Sequence, residues 1–164
     1  MKVVSNSSVL ISLSAIGQLD LLHTRFPAGV LIPRAVWQEV VETGQGRSGA
    51  QQVASASWIQ VVEALDSNLT SMLRIDLDAG EAEAIVLARE QQASTVLLDE
   101  KDARRVARKL GLFVLGTVGV LIWAKRAGQI ADLRSQLDAL QQEGKFRLSK
   151  PLYLEALEAG GEHK

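Results

Sequence analysis

The sequence predicts an α/β fold: a three-layer α/β/α sandwich with a mostly parallel central sheet. Three observations lead there. Short β-like runs alternate with helical stretches through short connections, the pattern of parallel strands covered by helices on both faces. Of the 164 residues, 47% are hydrophobic and only 4% aromatic, so there is enough side chain for a core and that core is aliphatic. No repeat, low-complexity tract or linker divides the chain, so residues 1–159 are expected to form one domain and 160–164 a frayed tail.

Val3-Val4 reads as a short buried strand, and Ser5-Asn6-Ser7-Ser8 as the polar stretch that caps a helix from Val9 to Ile16, closed by Gly17. Leu19–Phe26 is a second short helix, broken by Pro27 and Gly29. Val30–Ile32 is a strand, and Pro33 suits the start of a helix over Ala35–Thr43 with Val36, Val40 and Val41 turned inward. The glycine-rich stretch Gly44–Gly49 is a loop. A helical turn over Gln51–Ala56, a strand over Trp58–Val62 and a helix over Asp66–Leu77 follow. Asp78-Ala79-Gly80-Glu81 opens a strong helix to about Gln91, where Ala82, Ile85, Val86 and Ala88 keep helical spacing. Thr95–Leu98 is a buried strand ending at Asp99. Glu100–Leu110 is a basic amphipathic helix ended by Gly111, and Phe113–Leu115 a last strand. Helices over Thr117–Ala127, Ile130–Glu143 and Leu152–Ala159, the last capped by Ser149, complete the domain.

Composition removes several kinds of chemistry. With no cysteine, disulfides, zinc–thiolate sites, iron–sulfur clusters and thiol nucleophiles are excluded. His23 and His163 lie far apart, so one chain cannot assemble a multi-histidine site. No phosphate-binding glycine loop, dinucleotide fingerprint or serine nucleophile elbow is present. The N-terminus lacks a signal peptide, and the apolar stretches fall short of the ~20 residues a membrane helix needs, so a cytoplasmic location is expected. A formal net charge of −1 does not advertise nucleic-acid binding, although local patches set the field at a site.

Sites in open α/β sheets gather beyond the carboxyl ends of the strands. That rule singles out Asn6 after the first strand, Asp99 after the central one, Glu81 at a neighbouring helix start, and Glu39 in the helix after Val30–Ile32. Oxygen ligands from scattered elements suit a hard ion such as Mg²⁺ or Mn²⁺. Plainer roles exist for each. Glu81 suits a helix dipole, Asp99 and Asn6 suit helix caps, and Glu39 suits a solvated helix face. Glu83 and Glu42 read as exposed helix charges. In the basic helix, Lys101, Arg104, Arg105, Arg108 and Lys109 form either a solvated face or a ridge for phosphates beside Asp99, with Lys125 and Arg126 as additions.

Together these segments resemble the PIN domain family, the fold of VapC-type toxin ribonucleases, and in particular a compact prokaryotic branch of it. The resemblance is carried by Val3-Val4-Ser5-Asn6-Ser7-Ser8-Val9-Leu10-Ile11, by Leu31-Ile32-Pro33 with Val36 and Glu39-Val40, by Gly80-Glu81-Ala82-Glu83-Ala84-Ile85, by Leu97-Leu98-Asp99-Glu100 with Ala103-Arg104, and by Gly116-Thr117-Val118-Gly119-Val120-Leu121. It spans roughly residues 2–158. It implies a metal-dependent endoribonuclease whose acidic cluster falls on Asn6, Glu39, Glu81 and Asp99. Asp102 would be an accessory acid, Thr117 a hydrogen-bonding neighbour, and Lys101, Arg104, Arg105 and Arg108 would seat RNA. A cognate antitoxin and a homodimer are the implied partners.

One departure matters. The family's first acidic position is usually Asp, and here it is Asn6, which removes one negative charge and weakens metal binding. An alternative function is therefore a catalytically weak or inactive PIN-like module that binds RNA or protein. A third reading gives the helices Thr117–Ala127 and Ile130–Glu143 a homodimer face.

Overall fold

The structure, a computed structural model describing residues 1–162, places strands at β1 (Val3–Ser5), β2 (Val30–Ile32), β3 (Ile59–Val61), β4 (Thr95–Leu97) and β5 (Val114–Leu115). They form one sheet in the order β3-β2-β1-β4-β5, and every pairing is parallel. Val3, Val4 and Ser5 lie opposite Thr95, Val96 and Leu97. Alternate side chains enter different cores: Val3 and Leu97 one, Val4, Val96 and Leu98 the other. Burial on both faces is why these runs read as continuous apolar stretches rather than as polar–apolar alternation.

Ten α-helices are described: α1 (Ser7–Ala15), α2 (Leu21–Arg25), α3 (Arg34–Trp37), α4 (Ala50–Ser55), α5 (Ser67–Leu73), α6 (Ala79–Glu90), α7 (Lys101–Lys109), α8 (Thr117–Arg126), α9 (Leu133–Gln142) and α10 (Lys150–Ala159). On one face of the sheet, Leu10 and Leu13 of α1 pack with Leu121 of α8, Leu137 and Leu140 of α9 and Leu157 of α10. On the other, Ala82, Ile85 and Leu87 of α6 pack with Ala103 and Ala107 of α7. The arrangement is the predicted α/β/α sandwich, with a sheet that is wholly parallel. Each buried leucine or isoleucine contributes on the order of 1.5–3 kcal/mol relative to exposure.

The strand order determines where a site can form. The chain moves outward from β1 through β2 to β3, then returns to the far side of β1 for β4 and β5. The direction of winding reverses between β1 and β4, and a crevice opens there at the carboxyl ends of the strands.

Several local readings are corrected. The regular helix expected over Ala35–Thr43 is a short α-helix continued by a π-helical segment, Gln38–Glu42. The helix expected from Ile130 starts at Leu133, because the Asp132 side chain accepts from the Ser135 N–H and so caps it there. The helix expected to reach Leu77 stops at Leu73 and buries no residue. Glu83 is not a free helix charge, since its Oε1 accepts from the Ala35 N–H at the start of α3 (3.1 Å). In α8 and α9, Val120, Leu121, Leu133, Leu137 and Leu140 are fully buried in the core, while Val118, Ile122 and Trp123 of α8 remain partly exposed. No described helix is long and apolar enough to cross a membrane.

Residues 160–162, expected to fray, make specific contacts instead, while 163–164 lie outside the described residues. Glu162 accepts from the Leu133 and Arg134 N–H groups at the start of α9 and pairs with Lys125 Nζ at 2.9 Å. Arg126 donates to the Ala159 carbonyl, so Lys125 and Arg126 secure the C-terminal segment and do not extend a basic ridge. Partial burial by itself would raise the Glu162 carboxyl. The Lys125 and backbone hydrogen bonds outweigh it and hold the carboxyl below its usual 4.5. A lowered carboxylate stabilises the fold fully above its unfolded pKa, and the contribution is lost as pH falls through the folded pKa. Glu162→Gln should therefore lower Tm at pH 7 by about 2–4 °C, equivalent to roughly 1 kcal/mol in a chain of this size. Thermal melts down to about pH 3 should show that difference closing. A gap that stays constant with pH would contradict the assignment.

Candidate active site

The crevice between β1 and β4 begins with Asn6. Its extended backbone (φ −83°, ψ 172°) ends the strand and caps α1, and its Oδ1 accepts from the Ser7 N–H at 2.6 Å. Its own N–H donates to the Leu97 carbonyl at 3.0 Å, which ties the two strand ends together. Across the gap, Asp99 is held by three donors. Oδ1 accepts from the Thr117 N–H at 2.7 Å, and Oδ2 accepts from Thr117 Oγ1 at 2.7 Å and from Ser8 Oγ at 3.2 Å. Thr117 is fully buried. Its two donors come from the start of α8, so one residue orients both oxygens of the carboxylate.

Gly116 makes this approach possible. A Cβ there would stand 2.5 Å from Arg104 Nη1 and 2.9 Å from Asp99 Oδ1. Gly80 does the same on the other wall, where a Cβ would lie 3.2 Å from Asn6 Oδ1 and 3.5 Å from Glu39 Oε1. Its missing side chain brings the start of α6 up against Asn6 and Glu39. The π-segment carries Glu39. Thr43 N–H reaches back five residues to the Gln38 carbonyl (2.7 Å), and Gly44 lies so close that a Cβ would stand 2.9 Å from the Glu39 carbonyl. π-turns concentrate at functional sites because they re-aim side chains.

Glu81 closes a reciprocal cap with Asp78: Asp78 Oδ1 accepts from the Glu81 N–H at 2.8 Å, and Glu81 Oε1 accepts from the Asp78 N–H at 3.1 Å. Glu81 is nevertheless only 7% exposed. Burial pushes its carboxyl above the ordinary 4.5. The charges of Asp78, Glu100 and Glu39 push it further, against the lowering hydrogen bond from Asp78.

The structure thus brings Asn6, Glu39, Glu81 and Asp99 to one cleft of about 440 Å³, and adds Asp78 and Glu100 to its lining. Asp102 is elsewhere. It is exposed and pairs with Arg105 (3.3 Å) on α7, and neither residue lines the cleft or the groove beside it. Lys101, Arg104 and Arg108 line an adjoining groove that includes Asp99. Arg104 Nη1 donates to the Leu98 carbonyl at 3.2 Å. Burial and the neighbouring Arg108 charge lower its pKa, with Asp99 opposing them.

Among the described residues, no three carboxylate or imidazole groups converge into a ready-made metal cage. The donor set still fits a hard divalent cation. It is all oxygen, it includes a buried carboxylate destabilised by its neighbours, and the buried Ser7 Oγ beside it has no hydrogen-bond partner. Mg²⁺ usually keeps several waters and takes only one or two carboxylates, so a closed cage is not required.

A family model described as the PIN domain matches residues 2–162. The chain belongs to the PIN domain family. Comparison with curated proteins and with solved structures gives no match. The parallel sheet of this PIN domain and its acid-lined crevice agree with that membership.

Some site residues escape a reading of the sequence. Asp78 carries a legible signal, since Asp-x-x-Glu before an apolar helix is a capping box. Phe146 and Arg147, which also line the acidic cleft, carry none.

The raised Glu81 carboxyl sets a sign. An acid whose folded pKa is raised costs no stability below its unfolded pKa, and the cost grows as pH rises through the folded value. Glu81→Gln keeps the cap, because glutamine serves at that position, and removes the charge. In EDTA, Glu81→Gln should melt above wild type at pH 7, and the two should converge below about pH 4. A variant less stable than wild type at pH 7 would overturn this account of Glu81.

Proposed function

We propose that this PIN domain is a metal-dependent endoribonuclease that cleaves RNA phosphodiester bonds. The observation that carries the reading is the acidic cleft at the strand-order reversal, sharing Asp99 with a groove lined by Lys101, Arg104 and Arg108. PIN domains are generally nucleases. A site that gathers carboxylates beside cations suits a phosphodiester, whose backbone the cations seat without reading sequence.

Asn6, Glu39, Glu81 and Asp99 would hold Mg²⁺ or Mn²⁺. When bound, such an ion neutralises charge building on phosphoryl oxygens and acidifies water. The chain's own groups do the rest. Thr117 and Ser8 fix the Asp99 carboxylate, so it need not reorganise during reaction. Arg104, held between the Leu98 carbonyl and Asp99, and Lys101 and Arg108 position the phosphates. The role as toxin of a toxin–antitoxin pair, with a small cognate antitoxin and a homodimeric assembly, is supported by the likeness to VapC-type proteins.

A second reading is a PIN-like module that binds RNA or protein without cleaving. It is favoured by Asn6, whose neutral amide oxygen is already engaged by the Ser7 N–H at 2.6 Å. The deciding experiment is cleavage of a mixed RNA pool with Mn²⁺, with EDTA, and with Asp99→Asn. The expected result is cleavage that EDTA abolishes and that falls to the EDTA level in the folded variant. Cleavage by Asp99→Asn at the wild-type rate would sink the nuclease assignment. Asn6→Asp should reach half-maximal rate at lower Mn²⁺, since an added carboxylate strengthens a hard-ion site.

A further inference from the structure

A second cavity lies at the opposite end of the sheet from the acids. Helix α1 starts beside Asn6 at the carboxyl end of β1 and leads back to the amino ends of the strands. There Ser14, in its last turn, lines a hollow of about 390 Å³. Asp20, Gln52 and Trp58 line it too, from before α2, from α4 and from just before β3. The polar groups of this wall are not used by the fold. Ser14 is only 6% exposed, and its Oγ has no hydrogen-bond partner. A buried hydroxyl in that state is destabilising until something bonds it. Asp20 precedes α2 without its side chain capping it. Gln52 accepts from the Gly49 N–H through Oε1 (3.1 Å), which leaves its Nε2 as a donor. Trp58 is fixed in place. Its carbonyl accepts from the Val30 N–H (2.9 Å), and its ring stacks on His23 with centroids 5.1 Å apart and planes 9° apart.

Hollows of this size that combine an aromatic wall with a few convergent polar groups take small molecules. The wall sets the chemistry of the ligand. Among the described residues lining it there is no lysine or arginine, and Asp20 is the one charged group. A phosphate would meet repulsion there with no cation to offset it. Asp20 is also exposed, so it offers an ammonium ion little. An indole held flat against one ring suits a second flat ring. An acceptor-only carboxylate beside a serine hydroxyl and an amide donor matches sugar hydroxyls, as acids do when they bind ribose. We infer that this hollow binds an uncharged nucleoside, with its base on Trp58, its ribose hydroxyls on Asp20 and one polar atom bonded to Ser14 Oγ. The site is distinct from the acidic cleft and does not rest on the nuclease reading.

Calorimetric titration and thermal melts in EDTA read binding separately from cleavage. Adenosine should bind and raise Tm, and adenosine 5′-monophosphate should bind about 10-fold more weakly. Ser14→Ala removes the orphaned hydroxyl. Without ligand this variant should melt no lower than wild type. It should nevertheless bind adenosine about 10-fold more weakly, a combination that damage to the fold would not produce. Trp58→Leu should weaken adenosine by about 10-fold, and Trp58→Phe should keep most of the affinity. Asp20→Ala should weaken adenosine and leave 2′,3′-dideoxyadenosine unchanged, since that probe lacks the hydroxyls. Absence of adenosine binding overturns the inference, as does wild-type affinity in Ser14→Ala, which places the binding elsewhere. Monophosphate bound as tightly as adenosine, or spermidine bound in its place, overturns it as well.

Discussion

Val3, Val4 and Ser5 pair in parallel with Thr95, Val96 and Leu97, although no short connection joins the two strands. A parallel pair of this kind exists only if a long crossover packs well enough to close it. Here the crossover carries the chain out through β2 and β3 and back along α6. The return puts the end of β4 beside the end of β1, and with it Asp99 beside Asn6. The Asn6 N–H to Leu97 carbonyl bond is the last rung of this ladder. Without the β1–β4 pairing, the acids would have no common crevice to enter.

The second constraint is charge. Five carboxylates line one cleft, and at these separations in a partly desolvated setting they repel. The structure manages this unevenly. Asp99 is compensated by three donors, whereas Glu81 is capped once and otherwise left with acidic neighbours. The adjoining groove has the opposite sign, and Asp99 stands at their border. A near-zero net charge hides this separation, which is why bulk composition says nothing of it.

The fold was readable because its signal is local and repeated: buried β-branched runs, breakers after them, and helical spacing in between. Asn6 and Asp99 were readable for the same reason, since a polar residue at the end of an apolar strand is placed by the strand itself. Glu39 was located only as a helix position. Its aim depends on a π-turn that Gly44 permits through close approach to backbone carbonyls, and that is a tertiary condition. Asp102 lies only three residues from Asp99 in sequence, yet Asp99 precedes α7 and Asp102 lies on its exposed face, paired with Arg105. Phe146 and Arg147 reach the site from a connection more than forty residues downstream of Asp99, with no periodicity or motif to point there.

The π-turn at Gln38–Glu42 also bears on how this chain tolerates changes in length. A five-residue hydrogen-bond reach accommodates one residue more than a regular α-turn over the same span. Deleting a single residue between Glu39 and Thr43 would let the segment relax into ordinary helix and turn Glu39 relative to Thr43 and Gly44, since each helical residue turns the face by about 100°. Glu39 would swing off the cleft while the helix itself remained well formed. A one-codon deletion could thus disarm this wall of the site without unfolding the protein, whereas deletion within a strand would break the sheet.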